Sequence, residues 1–202
     1  MVWNGFDSCR FAPVRPEIWE QPRSRLVLLD TNCFLPRIKR IVVMSAALIV
    51  IGTFFFMEFM AWFTHKYVMH GFMWYFHRDH HVPEPGFFEK NDVFFLIFAI
   101  PSSLCFIFGS MNGFDFRFWI GTGIALYGIC YFLVHDVLIH RRFKWFDKTT
   151  NVYFRAIRKA HKVHHKHLGK EDGECFGMLV VPVRYFREAK ASDKRKRANA
   201  AG

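Results

Sequence analysis

Apolar residues fall in three long blocks separated by polar segments. The first block is Ile41 to Phe63 (IVVMSAALIVIGTFFFMEFMAWF), with Glu58 its only charge; the second is Val93 to Ser110 (VFFLIFAIPSSLCFIFGS), interrupted by Pro101; the third is Phe118 to Val134 (FWIGTGIALYGICYFLV), with no charge. A spanning helix needs roughly 20 mostly apolar residues, and each block is apolar all round, without the polar stripe of a soluble surface helix. The second and third lie near the lower length limit, which predicts thin or tilted spans. The alternative, buried helices of a soluble protein, would require a 202-residue chain to cover all three. The pattern therefore predicts an all-α integral membrane bundle. It has three spans, or four if the first block is split or re-entrant.

The polar connections set the topology. Met111 to Arg117 (MNGFDFR) contains the turn signal Asn112-Gly113, so blocks two and three should form a helical hairpin. His65 to Asp92 joins block one directly to block two, and His135 follows block three, so all 11 histidines fall on one face. Seventeen of the 28 Lys and Arg follow the third block, among them Arg155, Arg158, Lys159 and the KRKR at 194 to 197. By the positive-inside rule this face and the C-terminus are cytoplasmic. Arg37, Lys39 and Arg40, ahead of block one, oppose that assignment if the crossings number three.

Three regions are expected: a poorly ordered leader over 1–40, interrupted by Pro13, Pro16, Pro22 and Pro36; a membrane domain over 41–188; and a basic disordered tail over 189–202. The leader lacks a signal-peptide apolar core. Cys9, Cys33, Cys105, Cys130 and Cys175 show no paired spacing for disulfides or thiolate metal sites. The net charge of +11 is accounted for by topology and attraction to anionic lipid, and no nucleic-acid partner is expected.

Histidine carries the chemistry. Along the chain the order is His65-x4-His70, His77-x2-His80-His81, His135-x4-His140 and His161-x2-His164-His165. At this histidine frequency one HxxHH arises by chance roughly 0.03 times in such a chain, so two interleaved with two HxxxxH are not accidental. Residues three and four apart share a helix face, so each HxxHH can direct imidazoles at one centre. An HxxxxH pair diverges by about 140° on an ideal helix, so each pair should straddle a helix end or a locally unwound turn; Gly71, after His70, marks one stop. A single ion takes three or four protein ligands, so these ten histidines imply two metals. Iron is favoured on chemical grounds, because two adjacent iron ions can share the electrons that cleave O–O and zinc has no redox chemistry.

These motifs resemble those of the bacterial β-carotene 3-hydroxylases, within the membrane-bound fatty acid hydroxylase superfamily of histidine-rich di-iron enzymes. MEFMAWFTHKYVMHG, HRDHH, FEKNDVFFLIFA, YGICYFLVHDVLIHRRF and AHKVHHKHLGKEDGECFG carry the resemblance, from about Met57 to Met178. It implies O2-dependent hydroxylation of β-ionone rings at C3, taking β-carotene through β-cryptoxanthin to zeaxanthin. It also implies a bacterial inner-membrane location and electrons from ferredoxin with an NAD(P)H-dependent reductase. An external donor is needed, because the chain has neither a GxGxxG fingerprint nor a CxxCH haem attachment. Arg141, Arg142 and Lys144 are candidates for docking an acidic donor.

Several residues near the histidines have second uses. Glu58, seven positions before His65, is either an acceptor for an imidazole N–H or an interhelical partner. Asp79 and Asp136 are weaker candidates for the first role. Tyr127 and Tyr131 pack in the bundle or line a ring pocket, and His167 is a solvated neighbour outside the motif. No role follows for GKEDGE at 169–174. Two other functions remain open: a related membrane di-iron oxygenase acting on sterols, fatty acyl chains or alkanes, and a metal carrier, which would place polar ligands along its spans.

Overall fold

The computed structural model describes residues 31–82, 85–143, 145 and 149–201. It is all helical among these residues: α1 (Thr31–Phe63), a π-helical segment π1 (Thr64–Phe72), α2 (Trp74–His81), a 3-10 turn (Lys90–Val93), α3 (Phe94–Met111), α4 (Phe116–Phe132), a second π-helical segment π2 (Leu133–Ile139), α5 (Val152–His164) and α6 (Val183–Ala201). The chain forms two units divided within α1, Met1–Ser45 and Ala46–Gly202, and all the packing below belongs to the second. Among the described residues, three helices are long and apolar enough to cross a membrane: Pro36–Phe72, Lys90–Met111 and Phe116–Ile139. Large apolar side chains face outward along them, with Leu48, Phe55 and Phe95 about 70% exposed, as lipid-facing side chains are.

The hairpin of α3 and α4 forms as the sequence predicts. Gly113 takes a positive φ of 74° at the tip, and the Asp115 side chain caps α4 by accepting from the Arg117 N–H at 3.0 Å. Small residues bring the helices into backbone contact: a Cβ on Gly109 would lie 2.7 Å from the Cα of Phe118, and one on Gly123 would lie 2.6 Å from Thr53 of α1.

Two expected boundaries differ. Residues 31–40, assigned to the leader, are helical, and residues 1–30 lie outside the described residues. The tail expected to be disordered from 189 is part of α6. Composition explains the helix, because Ala, Lys and Arg are strong helix formers. Packing holds it to α5: Tyr185 and Ala189 join a core with Ala156, Ile157, Ala160 and Met178, and Arg155 pairs with Asp193 and Lys159 with Glu188 across the two helices. The polar loop before α5 ends at Asn151, whose side chain caps it by accepting from the Tyr153 N–H at 2.8 Å.

α1 delivers His65 and His70 through π1, α4 delivers His135 and His140 through π2, and α2 and α5 lie at that same end.

Candidate metal centre

All ten motif histidines meet, and they sort into two adjacent groups. His65, His70, His77, His81 and His164 form the first; His80, His140, His161 and His165 form the second. His135 borders the second group, its Nε2 3.0 Å from that of His80 and its ring 4.5 Å from that of His140. The rings of His81 and His165 stack at 4.7 Å where the groups meet.

The grouping explains both spacings. In a π-helix the hydrogen bond runs between residues five apart, as the His140 N–H does to the His135 carbonyl at 2.9 Å and the Met73 N–H to the Val68 carbonyl at 3.0 Å. Five residues then make about one turn, so HxxxxH partners lie over one another: the rings of His65 and His70 are 5.3 Å apart. Gly71 breaks the segment with non-helical angles (φ −102°, ψ −122°), after which α2 restarts.

The HxxHH motifs divide rather than serving one centre each, which corrects the sequence expectation. Neighbouring residues such as His80 and His81 point about 100° apart on a helix. His77 and His81 of α2 therefore enter the first group and His80 the second, while His161 and His165 of α5 enter the second and His164 the first. Each group thus combines one HxxxxH pair, the outer two histidines of one HxxHH and the middle histidine of the other.

Hydrogen bonds fix which nitrogen faces inward. In the first group Nδ1–H of His65 donates to the Phe176 carbonyl (3.0 Å), His70 to Lys170 (3.2 Å), His81 to His167 (2.9 Å), His164 to Glu174 (2.9 Å) and His77 to the Asn91 side-chain oxygen (2.7 Å). In the second, His80 donates to Glu89 at 2.8 Å, and His135 lies 3.4 Å from Asp136. With Nδ1 carrying the proton, Nε2 presents a lone pair. Yet Nε2 of His65 and His77 lie 3.1 Å apart, those of His70 and His164 3.2 Å, and those of His81 and His77 3.3 Å. Lone pairs at that range need a cation between them. Two ligand nitrogens about 2.1 Å from one ion and at right angles to it are separated by about 3 Å. The donor set therefore fits a transition metal in each group.

Burial also favours the neutral, ligating imidazole. It pushes His77 and His164 down to about 2, His165 to about 3 and His81 to about 4, and it depresses His80, His140 and His161 strongly; neighbouring imidazoles add to the effect. Glu89 is shifted up by burial and restrained by Arg142.

Several surrounding residues have roles that the sequence did not disclose. Glu89 and Asn91 are acceptors that histidine spacing does not reveal; their signal is a polar pair beside Asp92, where Glu89 and Asp92 form a capping box on the 3-10 turn. The loop 167–176, including GKEDGE, encircles the first group with backbone carbonyls, bent by left-handed Asp172 and Cys175. A Cβ on Gly173 would lie 2.9 Å from the Phe176 ring, so any side chain there would press on that ring. His167 contributes its carbonyl, and its ring belongs to neither group.

Of the two roles open to Glu58, the interhelical one is found, through Tyr127 of α4. Glu58 accepts no imidazole N–H among the described contacts; it accepts from the Tyr127 hydroxyl at 2.7 Å and from the N–H groups of Met178, Leu179 and Val180 at 2.9 to 3.1 Å. Asp79 accepts from the Lys90 N–H, and Tyr131 packs 4.9 Å from His135. Arg142 is no open docking charge. It pairs with both oxygens of Asp92 at 2.9 and 3.1 Å and reaches Asp136 at 3.2 Å. Lys144 lies outside the described residues.

Comparison with known proteins adds the lineage. The fatty acid hydroxylase family model matches residues 50–183. A β-carotene hydroxylase of Pantoea ananas is 41% identical over 136 residues, covering 67% of this chain and 77% of that protein. One from Paracoccus sp. (strain PC1) is 34% identical over 140 residues, covering 69% and 86%. A chloroplastic β-carotene 3-hydroxylase of an Oncidium hybrid cultivar is 38% identical over 135 residues, covering 65% and 44%. No solved structure matches. The match spans α4, π2 and α5 and all ten clustered histidines, and the chain belongs to the fatty acid hydroxylase family.

Proposed function

We propose that the chain is a carotenoid hydroxylase that uses O2 to hydroxylate the β-ionone rings of β-carotene at C3, giving β-cryptoxanthin and then zeaxanthin. Two non-haem iron ions would be held by His65, His70, His77, His81 and His164 and by His80, His135, His140, His161 and His165. Bound iron supplies the redox capacity for O2 activation and C–H hydroxylation. The observation that carries this reading is the pair of adjacent histidine groups, five and four with His135 bordering the second, whose Nε2 atoms converge at the end of three apolar spans, in a chain similar to proteins named β-carotene hydroxylases.

The chain's own residues orient and shield. Carbonyls of the 167–176 loop and the Asn91 amide hold the Nδ1 protons of the first group, and Glu89 holds that of His80, so that every ring so bonded turns a lone pair inward. His77 and His164 are 2% and 0% exposed, and that burial excludes bulk water from the first group. An apolar substrate would approach from the bilayer at the histidine-bearing end. The charge distribution supports a cytoplasmic position for this end in the bacterial inner membrane. Electrons would come from a ferredoxin served by an NAD(P)H-dependent reductase.

Expression in cells that accumulate β-carotene, followed by pigment chromatography, tests the reading. It predicts zeaxanthin with β-cryptoxanthin as intermediate. Unchanged β-carotene beside inserted, iron-loaded protein would refute it and direct the search to sterols, fatty acyl chains or alkanes.

A further inference from the structure

Glu58 is the one charged residue of the first apolar block, and an ionisable residue in a span is costly unless it is engaged. Here both carboxylate oxygens act as acceptors. Oε1 receives the N–H groups of Met178, Leu179 and Val180, and Oε2 receives the Tyr127 hydroxyl and shares Leu179. Three consecutive backbone donors on one carboxylate form an anion-binding nest. They also resolve a second difficulty: irregular backbone beside the apolar layer needs partners for its N–H groups, and Val180 is 71% exposed and apolar.

The engaged segment lies directly downstream of two carbonyls used by the histidines. Phe176, two residues before Met178, holds Nδ1 of His65, and Glu174, four residues before it, holds Nδ1 of His164. The Phe176 ring packs edge-on against His65, His70 and His164 at 5.1 to 5.4 Å. Glu58 and His65 are about 10 Å apart along one helix, so the segment is pinned twice to α1, and a slip at Glu58 moves both carbonyls. Gly177 makes the approach possible: a Cβ there would lie 3.2 Å from Oε1 of Glu58 and 2.9 Å from the Val180 carbonyl.

We propose that Glu58 is a positioning residue for the first histidine group, clamping residues 178–180 so that the carbonyls of Glu174 and Phe176 hold the rings of His164 and His65 in their ligating orientation. This rests on the reading of the ten histidines as metal ligands. The clamp is selective: the described contacts of Glu58 include none to the second group.

The test uses the full chain in lipid nanodiscs, titrated with ferrous iron and followed by metal analysis, Mössbauer spectroscopy and amide hydrogen exchange. Glu58→Gln replaces an acceptor with an N–H-bearing group facing N–H donors. It should weaken one iron site at least about tenfold, leave the other unchanged, alter one of two Mössbauer components, and speed exchange at residues 178–180 but not in the α3–α4 hairpin. Tyr127→Phe keeps the three backbone bonds and should retain both sites. Two sites of wild-type affinity in Glu58→Gln, equal weakening of both, or faster exchange throughout the hairpin would overturn the clamp. If Glu58→Gln does not insert, Gly177→Ala reads the same way: selective weakening of one site supports the clamp, and two unaltered sites overturn it. Wild-type protein that takes up no iron would instead overturn the ligand reading on which the clamp depends.

Discussion

The two histidine groups are built from the same parts and set in different surroundings. Each takes an HxxxxH pair from a π-helical segment, two histidines from one HxxHH and the middle one from the other. Around the first, the Nδ1 partners are uncharged: carbonyls of His167, Lys170, Glu174 and Phe176 and the amide of Asn91. Beside the second stand the carboxylates of Glu89 and Asp136, both tied to Arg142. A carboxylate behind an imidazole raises its basicity as a ligand. The comparison teaches that the duplicated motif sets ligand number and spacing, whereas the acceptors behind the rings, drawn from unrelated segments, set the character of each site.

The largest effects should come from the ligands themselves. His164→Ala, in the first group, and His161→Ala, in the second, should each abolish pigment hydroxylation while circular dichroism and membrane insertion stay as in wild type, because neither ring supports a span. Each variant should bind one ion fewer; retention of activity by either would remove its group from the centre.

One step smaller are the residues behind the rings. Glu89→Gln should lower affinity about 10- to 100-fold at one ion and Asn91→Ala by a similar factor at the other, read by competition with a chelator. If both variants weaken the same ion, the assignment of partners to groups is wrong. Arg142→Gln should act mainly on stability. It removes charged hydrogen bonds to Asp92 and Asp136, at a cost of about 2 kcal/mol, measured by thermal unfolding, with little effect on the first group.

The smallest effect at neutral pH is shared by both groups. Burial holds His81 to about 4 and His165 to about 3, below the ordinary 6.5, so the unfolded chain takes up these protons first as pH falls. The metal-free protein should hold its stability above about pH 7 and lose it progressively below 6.5, down through the folded values. A thermal midpoint independent of pH from 7 to 4 would contradict the buried, neutral state of these rings.

Much of this architecture was legible because its signals are local. Apolar length marked the three spans, Asn112-Gly113 marked the hairpin, and spacing marked all ten clustered histidines and the need for an unwound turn within each HxxxxH. What escaped depends on contacts between distant segments. Glu58 lies 120 positions before its partner Met178, and nothing in GKEDGE signals that its value lies in backbone carbonyls rather than side chains. The division of each HxxHH between groups follows from how α2 and α5 face one another, which spacing along one helix does not encode. The basic tail is helical despite its charge, because Ala, Lys and Arg favour helix and the helix that carries it packs on α5.

Iron analysis of purified full-length protein, combined with single-ligand variants, reads whether the histidines hold two ions. Wild type should hold two ions per chain and each of His164→Ala and His161→Ala one, with different Mössbauer signatures remaining in the two. No bound transition metal in correctly inserted wild type, or the same surviving signature in both variants, would contradict a two-ion centre.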